Sequence, residues 1–131
     1  MTSDPSGRSA VRAYGPAVLW AIAIFCASSI PSSAMPSSIV FSQDKLLHMG
    51  VYAVLGFFVY HGNRQWGMNG WRSAAWLSFG LCVLYGASDE VHQHFVPGRS
   101  MDIFDLLADA FGVVCAIVFA RLLELRSARR A

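Results

Sequence analysis

Charge is what this 131-residue chain has least of: Asp, Glu, Lys and Arg together make up 14% of it, against about 25% in soluble globular domains. So few charged groups do not cover an ordinary water-facing surface, and the 55% of hydrophobic residues reads as a membrane protein. Cysteine is scarce and unpatterned. Cys26, Cys82 and Cys115 each lie inside an apolar run without CxxC spacing, which excludes a disulfide framework or a zinc ribbon and leaves them as small buried hydrophobes. There is no HExxH, no GxSxG and no GxxxxGK[ST], the arrangements that hold zinc, a serine nucleophile and nucleotide phosphates. No basic run interleaves with aromatics, and a net charge of +2 is too small for a surface that tracks phosphates, so nucleic acid is not an expected partner. At this length a single domain is expected, which excludes ATP-driven multidomain machinery.

What the chain does have is four apolar stretches, at about residues 11–30, 46–60, 73–88 and 103–123. A span needs roughly 20 residues at about 1.5 Å per residue, so the second and third must borrow flanking residues such as Gln43, Lys45 and His61. Charged residues gather in the ends and connections; Arg12 lies at the edge of the first stretch, and Asp105, Asp109 and Arg121 fall inside the fourth. The expected fold is therefore all-α, a polytopic membrane protein with a compact bundle of four transmembrane helices. Arg8 and Arg12 ahead of an apolar core, with Ser32-Ser33-Ala34 after it, also fit a cleaved signal peptide. Pro16 is tolerable in a first helical turn, and Pro31 stops the helix at Ile30. Trp66 and Trp71, beside Arg64 and Arg72, read as interfacial anchors.

Four spans place Arg8, Arg12, Arg64, Arg72, Arg121, Arg126, Arg129 and Arg130 on one side and only Lys45 and Arg99 on the other. By the positive-inside rule both termini are cytoplasmic. The acids divide the opposite way, with Asp4 and Glu124 inside and Asp44, Asp89, Glu90, Asp102, Asp105 and Asp109 at the outer end.

Those outer acids form a pattern. At about 100° per residue, Asp102, Asp105, Asp109 and Gly112 fall in an arc of about 80° on the fourth helix, with Asp109 about 10 Å deeper than Asp102. Asp44, Lys45, His48 and Tyr52 share a face of the second within about 100°. Glu90 and Gln93 are neighbours at the end of the third, whereas His92 points away from Glu90 and pairs poorly with His94 as a metal motif. Pro97-Gly98 signals a turn, and Ser100 is a candidate cap for the fourth helix. Gly112, Ala116 and Ala120 at four-residue spacing permit close helix packing. His61 reads as part of a solvated connection.

The ordered set Asp44-Lys45-Leu46-Leu47-His48 with Tyr52, then Glu90, Gln93, Phe95, Pro97-Gly98-Arg99, Asp102, Asp105 and Gly112 resembles the VanZ-like family of small bacterial membrane proteins, over about residues 15–120. The resemblance implies a compact helical membrane fold in the bacterial inner membrane, and a link to the cell envelope. The family's named member is associated with resistance to the glycopeptide teicoplanin. One departure is Asp109, where the family pattern often has Asn.

Several functions fit these residues. The chain would bind or act on an envelope lipid or lipid-linked precursor through Asp44, Lys45, His48, Tyr52, Gln93, Arg99, Asp102 and Asp109. As an enzyme it would use Glu90 or Asp105 as general base with Arg99 or Lys45 as electrostatic stabiliser. As a structural network, the acids would lock helix packing, with Lys45 and Arg99 neutralising part of them. As an ion carrier it would work through Asp109 and need to oligomerise. Six outer carboxylates against two fixed cations should also attract a cation, a divalent one included, or a metal-bridged phosphate. Protonation of His48, His92 and His94 near pH 6.5 would weaken that field. An alkaline phosphatase fusion after Lys45 is expected to be active; an inactive one would reverse the orientation, and a mature chain beginning at Met35 would remove the first span.

Overall fold

The computed structural model describes residues 9–35 and 41–130, the side chains of 41–43 excepted; Asp4, Arg8 and the side chain of Gln43 lie outside this description. Each apolar stretch is a helix: α1 (Ala10–Ser28), α2 (Phe41–Trp66), α3 (Trp71–His94) and α4 (Ile103–Ala128), with a short 3-10 turn at Ser32–Ala34. No strand occurs among the described residues.

The two middle helices outgrow their apolar stretches, at 26 and 24 residues, or about 39 and 36 Å at 1.5 Å per residue. His61 accordingly lies inside α2 and not in a connection. What ends α2 is Gly67, whose φ of 116° suits a residue without a Cβ. Its N–H bonds to Arg64 O while that of Met68 bonds to Asn63 O at 3.0 Å, the paired closure of a Schellman motif. α4 is capped by Asp102, whose Oδ1 accepts the Phe104 N–H at 2.8 Å. Ser100 is thus not the cap: the helix begins three residues beyond it, and a carboxylate suits the positive helix end better. Pro16 also departs from expectation, since it sits past the first turn of α1, where it cannot donate to the Arg12 carbonyl. The helix continues through it to Ser28.

Consecutive helices run antiparallel. Tyr14 OH donates to Asn63 at 2.9 Å and Trp20 Nε1 to the Val51 carbonyl at 2.9 Å, tying α1 to α2; Tyr85 OH reaches the Ala21 carbonyl at 2.6 Å. Loss of α1 as a signal peptide would break all three. α2 and α4 run parallel and pack closest, because a row of small residues lets their backbones meet. A Cβ built on Gly56 would lie 3.1 Å from Val113 Cα, and one on Gly112 would penetrate the Met49 carbonyl. Ala116 and Ala120 continue the buried row. α1 rests on α2, touches α3 and, among the described residues, does not contact α4.

The distribution of polarity is inverted. Asn63, Ser78, Asp89, Glu90, Gln93, Asp105 and Asp109 are buried, while Leu19, Trp76, Leu84 and Phe111 face outward, Trp76 at 74% exposure. Cysteine follows the same rule. Cys82 is buried as expected, but Cys26 and Cys115 are exposed on the apolar exterior, because an apolar run in this bundle faces outward as often as inward. Trp66 and Trp71 flank the α2–α3 turn, and the guanidinium groups of Arg72 and Arg121 lie 5.6 and 5.2 Å from the Trp71 ring centre. By length and composition α1 and α4 are apolar enough to cross a membrane; α2 and α3 have the length but carry Asp44, Lys45, His48, Asn63, Asp89 and Glu90. Gly112→Leu is expected to lower stability in detergent by about 1–3 kcal/mol through overpacking, whereas Phe111→Leu on the exposed face leaves the melting temperature nearly unchanged.

Candidate functional site

Antiparallel alternation brings the end of α1, the start of α2, the end of α3 and the start of α4 to one end of the bundle, and the polar residues gather there. Lys45, the chain's single lysine, reaches from α2 to both Asp102 and Asp105 of α4. One turn deeper, His48 Nδ1 meets Asp109 Oδ1 at 3.0 Å, while its Nε2 stays 3.8 Å from Asp105 Oδ2. The α2 face and the α4 stripe therefore interlock as two parallel rows. Glu90 joins them from α3, its Oε2 accepting the backbone N–H of Asp102 at 2.8 Å. Lys45 and the Phe104 N–H hold the Asp102 carboxyl below its ordinary 3.8.

A second group faces the other way, toward α1. Asp89 Oδ2 accepts from Ser28 Oγ at 2.8 Å, from Gln93 Nε2 at 3.2 Å and, at the long distance of 3.4 Å, from Tyr52 OH. The Gln93 carbonyl in turn accepts from Arg99 Nε at 3.2 Å and Nη2 at 2.7 Å, so one amide links the aspartate to the guanidinium. Arg99 Nη1 also lies 2.8 Å from Met35 Sδ. Asp44, His48, Tyr52, Asp89, Gln93 and Arg99 line a cavity of about 200 Å³, whose apolar wall is formed by Ile24, Leu47 and Val51. Pro97-Gly98 makes the expected turn beneath it. Gly98 has φ 75°, and a Cβ there would collide with Ser32 Oγ, so the α3–α4 turn and the 3-10 segment close on each other at this glycine.

All ten residues singled out from the sequence therefore lie at one end, divided between an interlocked row and a cavity. Asp44 and Tyr52 face the cavity, and Lys45, Asp102, Asp105, Asp109 and Glu90 belong to the row. His48 borders both. Arg99 corrects an expectation: among the described residues it pairs with no carboxylate and meets Gln93 and Met35 instead, while Lys45 takes Asp102 and Asp105. Of the two candidate bases, Asp105 is held by Lys45, while Glu90 keeps Oε1 without a partner. His92 turns away as expected, to Ser29 Oγ at 3.0 Å and the Phe25 ring.

Sequence reasoning missed Ser28, Met35 and the central place of Asp89. For Asp89 a signal existed, its four-residue spacing to Gln93, which a helix puts on one face; for Ser28 and Met35 there was none. Lys45→Met is expected to destabilise by about 1–2 kcal/mol, and a cycle with Asp105→Asn should show coupling of similar size. The acid limb supplies the sign. Asp102 contributes stability above its unfolded value, near 3.8, and loses it as pH falls through the lower folded value, so Lys45→Met should flatten melting temperature against pH below about 4.

A family model described as VanZ/LLP1 matches residues 15–124. No curated protein and no solved structure matches the chain.

Proposed function

The chain belongs to the VanZ/LLP1 family, and from that premise we propose that it is a four-span protein of the bacterial cytoplasmic membrane, termini inside, whose outward-facing cavity binds the headgroup of an envelope lipid or lipid-linked precursor. Four spans are supported by the inverted polarity: all four helices, α2 and α3 included, turn large apolar side chains outward, among them Leu46, Val54, Leu81 and Leu84. Water would not tolerate that exterior without association, whereas lipid solvates it.

The observation that carries the ligand class is a pair of unmet demands on one cavity. Among the described residues, Arg99 presents a guanidinium held only by a neutral amide and a thioether, and Asp89 keeps a buried Oδ1 without a donor. A guanidinium so placed favours an anionic group, and a buried carboxylate oxygen favours a hydroxyl or amine. A phosphate-bearing headgroup with a neighbouring hydroxyl or amine satisfies both, and Ile24, Leu47 and Val51 take the first carbons of its chain. One observation favours turnover as well: Glu90 Oε1 is an uncommitted carboxylate oxygen, as a general base requires. Changed glycopeptide susceptibility would follow from removing an envelope component and is a consequence of this function.

The test is lipid binding by the protein in nanodiscs, read by native mass spectrometry with phosphatidylglycerol, phosphatidylethanolamine and a polyisoprenyl phosphate. Saturable binding of one class is expected, weakened at least tenfold, or about 1.4 kcal/mol, in both Arg99→Ala and Asp89→Asn. Consumption of the lipid would establish the enzyme instead. Equal retention of every lipid by wild type and variants would leave the polar residues an architectural role.

A further inference from the structure

On the α3–α4 side of the cavity, the interlocked row ends in three residues, the half-buried His48, which also borders the cavity, and the buried Glu90 and Asp109. His48, Glu90 and Asp109 each offer a ligand atom, and these atoms lie within 4.8 Å of one another. Glu90 and Asp109 are 3% and 1% exposed, and among the described residues each keeps one carboxylate oxygen, Oε1 and Oδ2, with no hydrogen-bond partner. Two buried acids with unmet oxygens beside one imidazole are costly unless something positive joins them.

We propose that His48, Glu90 and Asp109 form a binding site for a divalent transition-metal ion of the zinc or manganese class. One imidazole nitrogen with two carboxylates is a donor set for zinc or manganese, whereas calcium and magnesium prefer oxygen alone. His48 Nδ1 and Asp109 Oδ1 are 3.0 Å apart, close to the separation of adjacent ligands on an octahedral ion with bonds of about 2.1 Å. Three protein ligands leave a position open for water or another oxygen.

A shallower group, Asp44, His48 and Asp105, has similar spacing. There the Lys45 ammonium already sits on Asp105 and repels a second cation. Among the described residues, the unmet buried oxygens of these two groups belong to Glu90 and Asp109. The deeper group is therefore the site. It is independent of the headgroup reading, since metal binding is measured without lipid ligand and Arg99→Ala should leave it intact.

The experiment uses the full chain in detergent, stripped with EDTA and dialysed. Zn²⁺ and Mn²⁺ are titrated by calorimetry and thermal unfolding, and retained metal is counted by mass spectrometry. One equivalent per chain is expected, with a raised melting temperature and affinity lowered at least 100-fold in His48→Gln, Glu90→Gln and Asp109→Asn. Asp44→Asn is expected to change affinity less than threefold. Co²⁺ gives a second readout that needs no unstable variant, a visible d–d band of nitrogen and oxygen ligation in wild type. No retained metal in wild type, a site abolished by Asp44→Asn and not by Asp109→Asn, or Mg²⁺ binding as tightly as Zn²⁺ and Mn²⁺ would each overturn the proposal.

Discussion

Asp89, Glu90, Asp105 and Asp109 are carboxylic acids withdrawn from water inside a bundle whose exterior is apolar, and compensating them constrains everything around them. A buried ion without a partner costs several kcal/mol, so each must meet a cation, a donor or a proton from another helix. Lys45 serves Asp105, His48 serves Asp109, the amide at the α4 cap serves Glu90, and Ser28 with Gln93 serves Asp89. Each solution crosses between helices, which joins polar satisfaction to tertiary packing. In lipid this carries particular weight, because apolar burial no longer separates one helix arrangement from another.

Close approach of α2 and α4 makes those pairings reachable. A histidine one turn beyond a lysine on one helix, and an aspartate one turn beyond another on its neighbour, interlock only when the helices run parallel and near. Gly56 against Val113 and Gly112 against Met49 supply that proximity. The small-residue row and the charged row are thus two ends of one interface: the first sets the distance, and the second sets the register. At the far end Glu124 takes Arg64 at 2.9 Å and Arg121 at 2.8 Å, repeating an α2–α4 ion pair at the end of the bundle where the α2–α3 turn lies.

The polar end of the bundle then divides its chemistry between two neighbouring places that share His48. On the α1 side, an arginine held by neutral partners and an aspartate short of a donor line one cavity. On the α4 side, two acids with unmet oxygens face an imidazole. Ser28 makes α1 part of this division, since its hydroxyl helps orient Asp89.

How much of this was legible beforehand differs between elements. Hydrophobic runs and segregated charge marked four helices. Helical periodicity placed Asp105, Asp109 and Gly112 on one face of α4, and Lys45 and His48 together on α2, because side-chain direction along a single helix follows from its 3.6-residue turn. What one helix cannot tell is which neighbour its face meets. That Lys45 and not Arg99 neutralises the acids, that Asp89 is claimed by Ser28 from 61 residues away, and that Cys26 and Cys115 face outward depend on how four helices rotate and pack. Local geometry and hydrophobicity were enough to set the helices and their polar stripes. The partners came from packing, because pairing depends on distances between segments that local periodicity does not specify.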